Sequence, residues 1–392
     1  MSESQPTPQE TTTSLAELAL LFLRLGATTF GGPAAHIAIM RDEVVQRRQW
    51  LTEQRFLDLL GATSLIPGPN STEMAIHIGW GRRRWAGLVV AGVSFIVPAM
   101  LITLALAWAY VRYGQLPQAS WLLWGIKPVI LAIVGQAFWN LAPAAARTWP
   151  LRVLAVGAAV ASALGVHELV ILFGGGVLVA CAAATRGKAA PGKNHLGQFV
   201  PVLPVAAGAM ATSAVTVTLS GLFGVFFKIG SVLFGSGYVL MAFLRADLVE
   251  KLHWLTEAQL IDAVAAGQLT PGPVFTSATF VGYLLAGTGG ALVATLGIFL
   301  PAFIFVALSG PLVPRLRASP LAGAFLDGVN VASLALMAVV ALQLGRGVLV
   351  DPRAAILGAV SLAVLLRLRV NATWLVLGGA VAGAGAHAVG WL

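Results

Sequence analysis

The 392-residue chain has few charged residues and a single cysteine. Only 10% of its residues are Asp, Glu, Lys or Arg, whereas a soluble domain carries about 25%. This scarcity, together with 58% hydrophobic residues and a mean hydropathy of +0.87, excludes a disordered chain, a collagen-like chain and an ordinary soluble enzyme. One cysteine cannot form an intramolecular disulfide or a cysteine-based zinc or iron–sulfur site. Six scattered histidines without paired spacing predict no metal site.

Long apolar runs dominate the sequence, and they predict an all-α polytopic membrane protein. Spans of about 20 residues with short loops allow on the order of ten transmembrane helices. The net charge of +9 comes from small basic clusters between apolar runs, as is typical of cytoplasmic loops. No basic stripe is interleaved with aromatic residues, so nucleic-acid binding is not predicted. Residues 1–13 contain no basic residue and are predicted to be a polar tail rather than a signal peptide.

The chain contains a tandem repeat with an offset of 204 residues. Trp50-Leu51-Thr52-Glu53 recurs as Trp254-Leu255-Thr256-Glu257, and Pro67-Gly68-Pro69 recurs as Pro271-Gly272-Pro273. Chance does not align two such motifs, so we infer a duplication. The predicted units are repeat one at 14–186, a polar linker at 187–199 and repeat two at 200–392.

Each half is predicted to have about five spanning helices plus a broken or re-entrant helical hairpin around Pro-Gly-Pro. The apolar stretches beside each Pro-Gly-Pro have about 10 to 13 residues, too few to span a bilayer alone. Such backbone occurs at membrane depth only where it is buried in protein or lines a wet cavity. Five crossings per half give the second half the inverted topology. The basic cluster Arg82-Arg83-Arg84 then has an uncharged counterpart at 283–290, as the positive-inside rule requires. Residues 199–215 are interpreted as an interfacial segment, although a span there would change the topology.

Broken helices in inverted repeats are typical of secondary transporters, whose substrate lies near the midplane between the halves. The exposed N-terminus of a broken helix offers an anion its unpaired N–H groups and positive dipole end. Proline ends the preceding helix, glycine permits close approach, and the second proline begins the next helix. The substrate-binding residues predicted here are Pro67, Gly68, Pro69, Asn70, Ser71, Thr72, Pro271, Gly272, Pro273 and Thr276. A simple helix kink is the alternative.

A second pair of matched breaks is Gly31-Gly32-Pro33 and Gly235-Ser236-Gly237. Its glycines and serine are predicted to form a backbone anion cradle, or else a close helix contact of small residues. Arg24 and Lys228 are matched cations inside apolar runs. We expect them to attract an anion, with snorkelling to the interface as the alternative.

The residues predicted to act in gating or coupling are His36, Arg41, Glu43, Glu73, Arg245 and Asp247. Glu73 has no acidic partner in half two, where Ser277 stands. A buried carboxyl that stays protonated suits proton coupling, and a carboxylate complementing the helix dipole is the alternative. Arg41 and Glu43 keep their charge sign in half two, so a gate is weighed there against an interfacial salt-bridge cluster.

These motifs together resemble the chromate ion transporter family in its long, two-domain form. The resemblance covers nearly the whole chain, although half two reads Gly-Ser-Gly at its first break and has Leu240 in place of His36. It rests on the motifs Phe30-Gly31-Gly32-Pro33, Glu43-Val44-Val45, Trp50-Leu51, Pro67-Gly68-Pro69, Phe234-Gly235-Ser236-Gly237, Trp254-Leu255-Thr256 and Pro271-Gly272-Pro273. The resemblance implies export of chromate from the bacterial cytoplasm, two halves of opposite orientation, and sulfate as a related or competing oxyanion.

We therefore expect a secondary transporter in the bacterial inner membrane that exports chromate by alternating access and needs no cofactor. A dianion leaving a negative-inside cell gains about 4.6 kcal/mol per 100 mV, and the chain has no GxxxxGK[ST] motif for nucleotide binding. Coupling to protons or to another anion is a second possible driving force.

The alternatives are a sulfate or other oxyanion transporter, an anion channel of the same fold, and a membrane enzyme. The enzyme is disfavoured because Glu43 and Asp58 lack catalytic partners in the sequence. Oligomeric state stays open, with a homodimer as one candidate.

Overall fold

The computed structural model describes residues 13–30, 32–114, 116–187, 216–234, 239–309, 319–368, 370 and 372–390. Within these ranges the secondary structure is helical and no strand occurs. The predicted interfacial segment 199–215 and most of the linker lie outside the described residues.

The helices of the first half follow the predicted apolar segments, with breaks at the predicted glycines and prolines. They are α1 (Leu15–Thr28), α2 (Gly32–Arg41), a π-helix (Asp42–Arg47), α3 (Glu53–Thr63), α4 (Asn70–Tyr113), α5 (Pro117–Ala145), α6 (Trp149–Ala163) and α7 (Glu168–Gly187).

The second half repeats this order. Its elements are α8 (Leu219–Val232), α9 (Leu240–Leu244), a π-helix (Arg245–Lys251), α10 (Glu257–Leu269), a 3-10 turn (Val274–Thr276), α11 (Ser277–Ser309), α12 (Pro320–Val348), α13 (Pro352–Leu368) and α14 (Ala372–Ala388).

The repeated Trp-Leu-Thr-Glu motif is a helix start in both halves. The Thr52 hydroxyl accepts the N–H of Arg55 at 3.2 Å and caps α3. The Thr256 hydroxyl accepts the N–H of Gln259, also at 3.2 Å, and forms a capping box at the start of α10. A capping hydroxyl satisfies an amide that the helix itself leaves unpaired. The motif therefore fixes where the helix before each Pro-Gly-Pro begins.

Both α4 and α11 fold back on themselves at matched positions. The backbone leaves helical geometry at Arg83–Arg84 in α4 and at Ala286–Gly287 in α11. A Cβ on Gly79 would lie 2.2 Å from the Gly87 carbonyl oxygen, although eight residues of straight helix would separate them by about 12 Å. The sequence predicts separate segments at 70–80 and 86–111. The structure joins them as a first arm (70–82) and a second arm (85–113) that pack against each other.

The packing of helices between the two halves is reciprocal. Helix α4 packs on α11, and each of them also packs on the first helix of its own half, α1 or α8. The contact of α5 with α14 is matched by that of α12 with α7, and the contact of α5 with α13 by that of α12 with α6. Such pairing is expected where a duplicated unit packs against its copy, whereas the inverted orientation in a membrane stays a prediction.

Five of the described helices are long and apolar enough to cross a membrane, judged by length and composition. They are α4, α5, α7, α11 and α12, and three shorter apolar helices are α6, α8 and α14. Large apolar side chains on these helices face outward, among them Trp139 and Val381, as lipid contact requires. The prediction of about five spanning helices in each half exceeds this number, partly because α6, α8 and α14 have only 15, 14 and 17 residues, fewer than the about 20 that a span needs.

Small residues set the closest approach between the halves. A Cβ on Gly125 of α5 would lie 1.9 Å from the Gly379 carbonyl oxygen of α14. After a one-residue slip the repeat offset becomes 203, as Gly79 and Gly282 show, so the repeat mate of Gly125 is Gly328 of α12. A Cβ on Gly328 would lie 2.3 Å from the Gly175 carbonyl oxygen of α7. Backbone contact of this kind excludes any side chain and is typical of helix packing in membranes.

We expect Gly125→Ala to lower the unfolding temperature of the protein in detergent, because its methyl group would push α5 and α14 apart. Overpacking of this kind costs about 1–3 kcal/mol. Gly135→Ala is the control on the same helix, since a Cβ there meets only Leu362 at 3.6 Å. Equal unfolding temperatures for the two variants would contradict the packing described.

Candidate functional site

Each Pro-Gly-Pro turn is hydrogen-bonded to a broken helix end of the other half. The Gly68 N–H donates to the Leu233 carbonyl at 2.8 Å, and the Gly272 N–H donates to the Thr29 carbonyl at 3.0 Å. Thr29 and Leu233 are the residues that end α1 and α8. Proline has no N–H, so the glycine supplies the only amide donor of each motif. The predicted breaks of the two halves therefore meet crosswise at the interface between them.

Glycine is required in both turns by conformation and by space. Gly68 has φ +137° and Gly272 has φ +86°, a region that residues with a Cβ rarely adopt. A Cβ on Gly272 would lie 2.9 Å from both the Ala99 Cβ and the Gly26 carbonyl oxygen. The turn of half two is thus wedged between α1 and the second arm of α4.

The half-one turn combines the N–H groups at the start of α4 with a buried carboxyl group, that of Glu73. Asn70 and Ser71 are the first residues of α4, where an α-helix leaves its N–H groups without intrahelical acceptors. The Thr72 hydroxyl and both carboxyl oxygens of Glu73 are buried and form no hydrogen bond among the described residues. Glu73 lies directly against the turn, since a Cβ on Gly68 would be 2.3 Å from its Oε1. Buried polar atoms without partners are uncommon and point to a ligand or a proton.

The half-two turn presents three buried hydroxyl groups instead. The Thr103 hydroxyl lies 3.1 Å from that of Thr270 and 3.2 Å from that of Thr276. At the half-one turn, the repeat counterparts of Thr103 and Thr270 are Val306 and Ile66, which lie in an apolar cluster. The two turns therefore share a backbone design and differ in chemistry. The sequence predicted Thr276 but missed Thr270 and Thr103.

The second predicted pair of breaks is only partly described. Gly31, Gly235, Ser236 and Gly237 lie outside the described residues, while Gly32 begins α2 with φ +77°. His36, predicted for gating, is buried and donates from Nε2 to the Thr29 carbonyl at 3.1 Å. This carbonyl is the one that accepts the Gly272 N–H. His36 therefore helps to hold in place the carbonyl at the end of α1 that binds the half-two turn.

The two predicted intramembrane cations are both paired with carboxylates. Arg24 Nη2 lies 2.5 Å from Glu43 Oε1, and Lys228 Nζ lies 2.6 Å from Asp247 Oδ1. Both pairs join residues 19 positions apart in the sequence. Because these partners neutralise the cations, a direct role for Arg24 and Lys228 in binding substrate stays a prediction.

Arg41 and Arg245 form a second set of matched ion pairs. Arg41 Nε lies 2.7 Å from Glu53 Oε1, and Arg245 Nη2 lies 2.7 Å from Glu257 Oε1. The first pair ties the end of α2 to the start of α3, and the second ties the π-helix of half two to the start of α10. Arg41 therefore pairs with Glu53, whereas Glu43 pairs with Arg24. A gate formed by Arg41 and Glu43 stays a prediction.

Glu43 is the centre of a cluster of arginines. Arg47 and Arg48 each lie 3.4 Å from its carboxyl oxygens, in addition to Arg24. Burial acts to raise the pKa of this carboxyl, but hydrogen bonds and charges from Arg24, Arg48 and Arg47 outweigh burial and hold the pKa below its ordinary value.

We expect Glu43→Gln to lower the free energy of unfolding by about 1–3 kcal/mol, because a charge-assisted hydrogen-bond centre is lost. The pKa of Glu43 is depressed in the folded state, so its stabilising effect is complete above the ordinary carboxyl pKa. The effect is lost as the pH falls through the lower folded-state value. Thermal unfolding at several pH values should show a gap between wild type and variant that narrows once the pH falls below the ordinary carboxyl pKa and closes at lower pH. A gap that is independent of pH, or absent, would contradict this account.

A further polar cluster was not predicted from the sequence. The Tyr110 hydroxyl donates to Asp262 Oδ2 at 2.9 Å, and Lys127 Nζ lies 3.4 Å from Asp262 Oδ1. Its members come from α4, α5 and α10, which no motif in the sequence links. Among the described residues, no group of three or more His, Cys, Asp or Glu side chains is arranged to hold a metal ion.

These features define a multi-pass helical membrane protein built from two similar halves, with broken helices and buried polar groups where they meet. The chromate transporter family matches the chain twice, over residues 16–180 and 220–384. Both ends of the second match lie 204 residues after those of the first, which is the offset of the sequence motifs. The chain therefore belongs to the chromate transporter family.

Curated relatives are similar over most of their length. The chain is 34% identical over 363 residues to the chromate transport protein of Cupriavidus metallidurans, covering 91% of this chain and 89% of that protein. It is 31% identical to a probable chromate transport protein of Synechococcus elongatus, covering 89% of each. It is 30% identical to the chromate transport protein of Pseudomonas aeruginosa, covering 88% of this chain and 83% of that one. No solved structure matches the chain significantly.

Proposed function

We propose that the protein is a secondary transporter that exports chromate from the bacterial cytoplasm across the inner membrane by alternating access. Family membership supports chromate as the transported ion. The observation that carries the mechanism is the pair of crossed hydrogen bonds from Gly68 and Gly272 to the opposite halves. Such a junction is where rocking of two repeats would open a central site to one side and then the other.

The substrate is held in this proposal by N–H and hydroxyl donors at the two turns. In half one these are the amides of Asn70 and Ser71 and the hydroxyl of Thr72. At the half-two turn they are the hydroxyls of Thr276 and Thr103. These hydroxyls donate to the Pro273 carbonyl and to Thr276 in the structure, and in this proposal they turn from those acceptors to the oxyanion. Helix dipoles and neutral donors attract a tetrahedral dianion without a fixed cation in the site. Such donors recognise charge and shape, so sulfate and other oxyanions of this shape are alternative substrates.

The membrane potential supplies the driving force in this proposal, with Glu73 as the group that couples transport to protons. Export of a dianion is favoured by about 4.6 kcal/mol per 100 mV in a negative-inside cell. Glu73 is buried beside the Gly68 turn without hydrogen-bond partners. A carboxyl group there can carry a proton or a negative charge while substrate occupies the neighbouring amides.

The test is chromate uptake into inverted membrane vesicles, whose interior corresponds to the outside of the cell. We expect saturable uptake that rises with an interior-positive potential and falls in excess sulfate. Pro67→Ala/Pro271→Ala should remove it, because the helix before each turn is no longer forced to end there.

Three results would contradict this proposal. Absence of chromate flux in a folded protein would contradict the substrate. Uptake only into right-side-out vesicles would contradict export. Flux that does not saturate would favour a channel of the same fold.

A further inference from the structure

An ion pair connects the two halves near the half-two turn, outside the set of donors described above. Lys127 lies on α5 of the first half, Asp262 on α10 of the second, and Tyr110 on the second arm of α4. The Asp262 side chain is 3% exposed, whereas that of Lys127 is 23% exposed. The carboxylate is therefore enclosed by protein, while the Lys127 side chain is partly exposed.

This pair lies at one end of the helix pair formed by α10 and the second arm of α4, and the half-two turn lies at the other end. Asp262 precedes Pro271 by nine residues, or about 13 Å of helix. Tyr110 follows Thr103 by seven residues on the neighbouring arm of α4. Since Tyr110 contacts Asp262 and Thr103 contacts Thr270, the two helices run side by side in opposite directions. Lys127, Asp262 and Tyr110 therefore lie at one end of the helix pair, and the hydroxyls of Thr103 and Thr270 lie at the other end.

The ion pair is loose compared with others in the protein. Lys127 Nζ and Asp262 Oδ1 are 3.4 Å apart, whereas Lys228 and Asp247 are 2.6 Å apart. A charge-assisted N–H···O bond is about 2.7–2.9 Å long, so the lysine retains donor capacity. Asp262 also accepts the Tyr110 hydroxyl, which stabilises the carboxylate when the lysine turns away. The repeat mate of Lys127 is Asn330, so the other half has no cation at the equivalent place.

We propose that Lys127 is a relay site for the oxyanion, at the end of the α10–α4 helix pair that lies away from the half-two turn. Asp262 neutralises Lys127 while no anion is present, and an arriving dianion displaces the carboxylate because it offers the ammonium group more negative charge. This inference rests on the proposed function, since the ion that Lys127 would bind is the transported one.

The test compares Lys127→Met, Asp262→Asn and Lys127→Met/Asp262→Asn in proteoliposomes over a range of chromate concentrations. We expect Lys127→Met to raise the KM for chromate about tenfold, equivalent to 1.4 kcal/mol. Asp262→Asn should lower the KM, because an unpaired lysine binds the anion without a competitor. The double variant removes both charges, and it should fold well but keep the high KM. Arg147→Gln/Asp327→Asn is the control, since it removes another ion pair between the halves that is exposed.

A purely structural pair would give the opposite pattern, with the double variant returning to the KM of wild type. A second readout is independent of transport: the rise in unfolding temperature that chromate or sulfate produces in detergent. Loss of this rise in Lys127→Met supports the relay site even if wild type shows no flux, in which case the proposed function fails alone. A rise that is equal in wild type and Lys127→Met, or absent from both, would overturn the relay site.

Discussion

Gly272→Ala is expected to reduce chromate transport at least about a hundredfold, equivalent to 2.7 kcal/mol, although the helices still form. The new methyl group would lie 2.9 Å from the Gly26 carbonyl oxygen and from Ala99, and φ is +86°. Backbone strain of this kind costs about 1–3 kcal/mol. The turn would relieve it by moving away from α1, and the Gly272 N–H would then lose the Thr29 carbonyl. Uptake into inverted vesicles measures the loss.

Gly224→Ala is the matched control, because Gly224 lies in α8 and a Cβ there meets nothing within 4 Å. It should transport at the wild-type rate. Gly68→Ala should also reduce transport, because φ +137° is strained for a residue with a Cβ, although its new methyl group would meet the end of the Glu73 side chain rather than backbone. Size-exclusion chromatography verifies that each variant is folded. A folded Gly272→Ala protein with normal transport would show that transport does not need the hydrogen bond between Gly272 and the Thr29 carbonyl.

Glu73→Gln is expected to abolish the response of transport to a proton gradient while preserving transport driven by an electrical potential. The amide has nearly the shape of the carboxyl but cannot take up or release a proton. Neither oxygen of Glu73 has a hydrogen-bond partner among the described residues, so the substitution breaks no bond and the variant should fold. We expect stimulation of uptake by an imposed pH gradient to fall at least about tenfold, or 1.4 kcal/mol of coupling.

Glu250→Gln is the control for a carboxyl group elsewhere, since Glu250 is half exposed and paired with Arg245. It should leave the proton response unchanged. If Glu73→Gln kept the full proton response, Glu73 would be a structural group that complements the start of α4. In that case the membrane potential alone would drive transport in our proposal.

The sequence predicted the features that depend on local chemistry. A Pro-Gly-Pro motif ends one helix and starts another wherever it occurs, and its repetition at a fixed offset indicated two similar turns. The caps at Thr52 and Thr256 are local features of the same kind, although the sequence analysis used this motif only to find the repeat. The positions of these elements were therefore predictable to within a few residues.

Contacts between distant segments were not predictable in the same way. Thr103 meets Thr270 across 167 positions of sequence, and Lys127 meets Asp262 across helices that no motif links. The fold-back of α4 at Arg83–Arg84 also depends on close packing of Gly79 with Gly87, whose spacing alone indicates nothing. The pairing of Arg24 with Glu43 could have been predicted from the repeat, because Lys228 and Asp247 have the same charges at the same spacing.

Transport in our proposal depends on binding of the oxyanion at the two Pro-Gly-Pro turns between the halves. The most direct measurement is a structure with bound chromate, in which anomalous scattering from chromium locates the ion. We expect a chromium peak within about 4 Å of the amide nitrogens of Asn70 and Ser71 or of the Thr276 hydroxyl, as hydrogen bonding to the oxygens requires. A peak beside Arg24 or Lys228, with the turns empty, would contradict it.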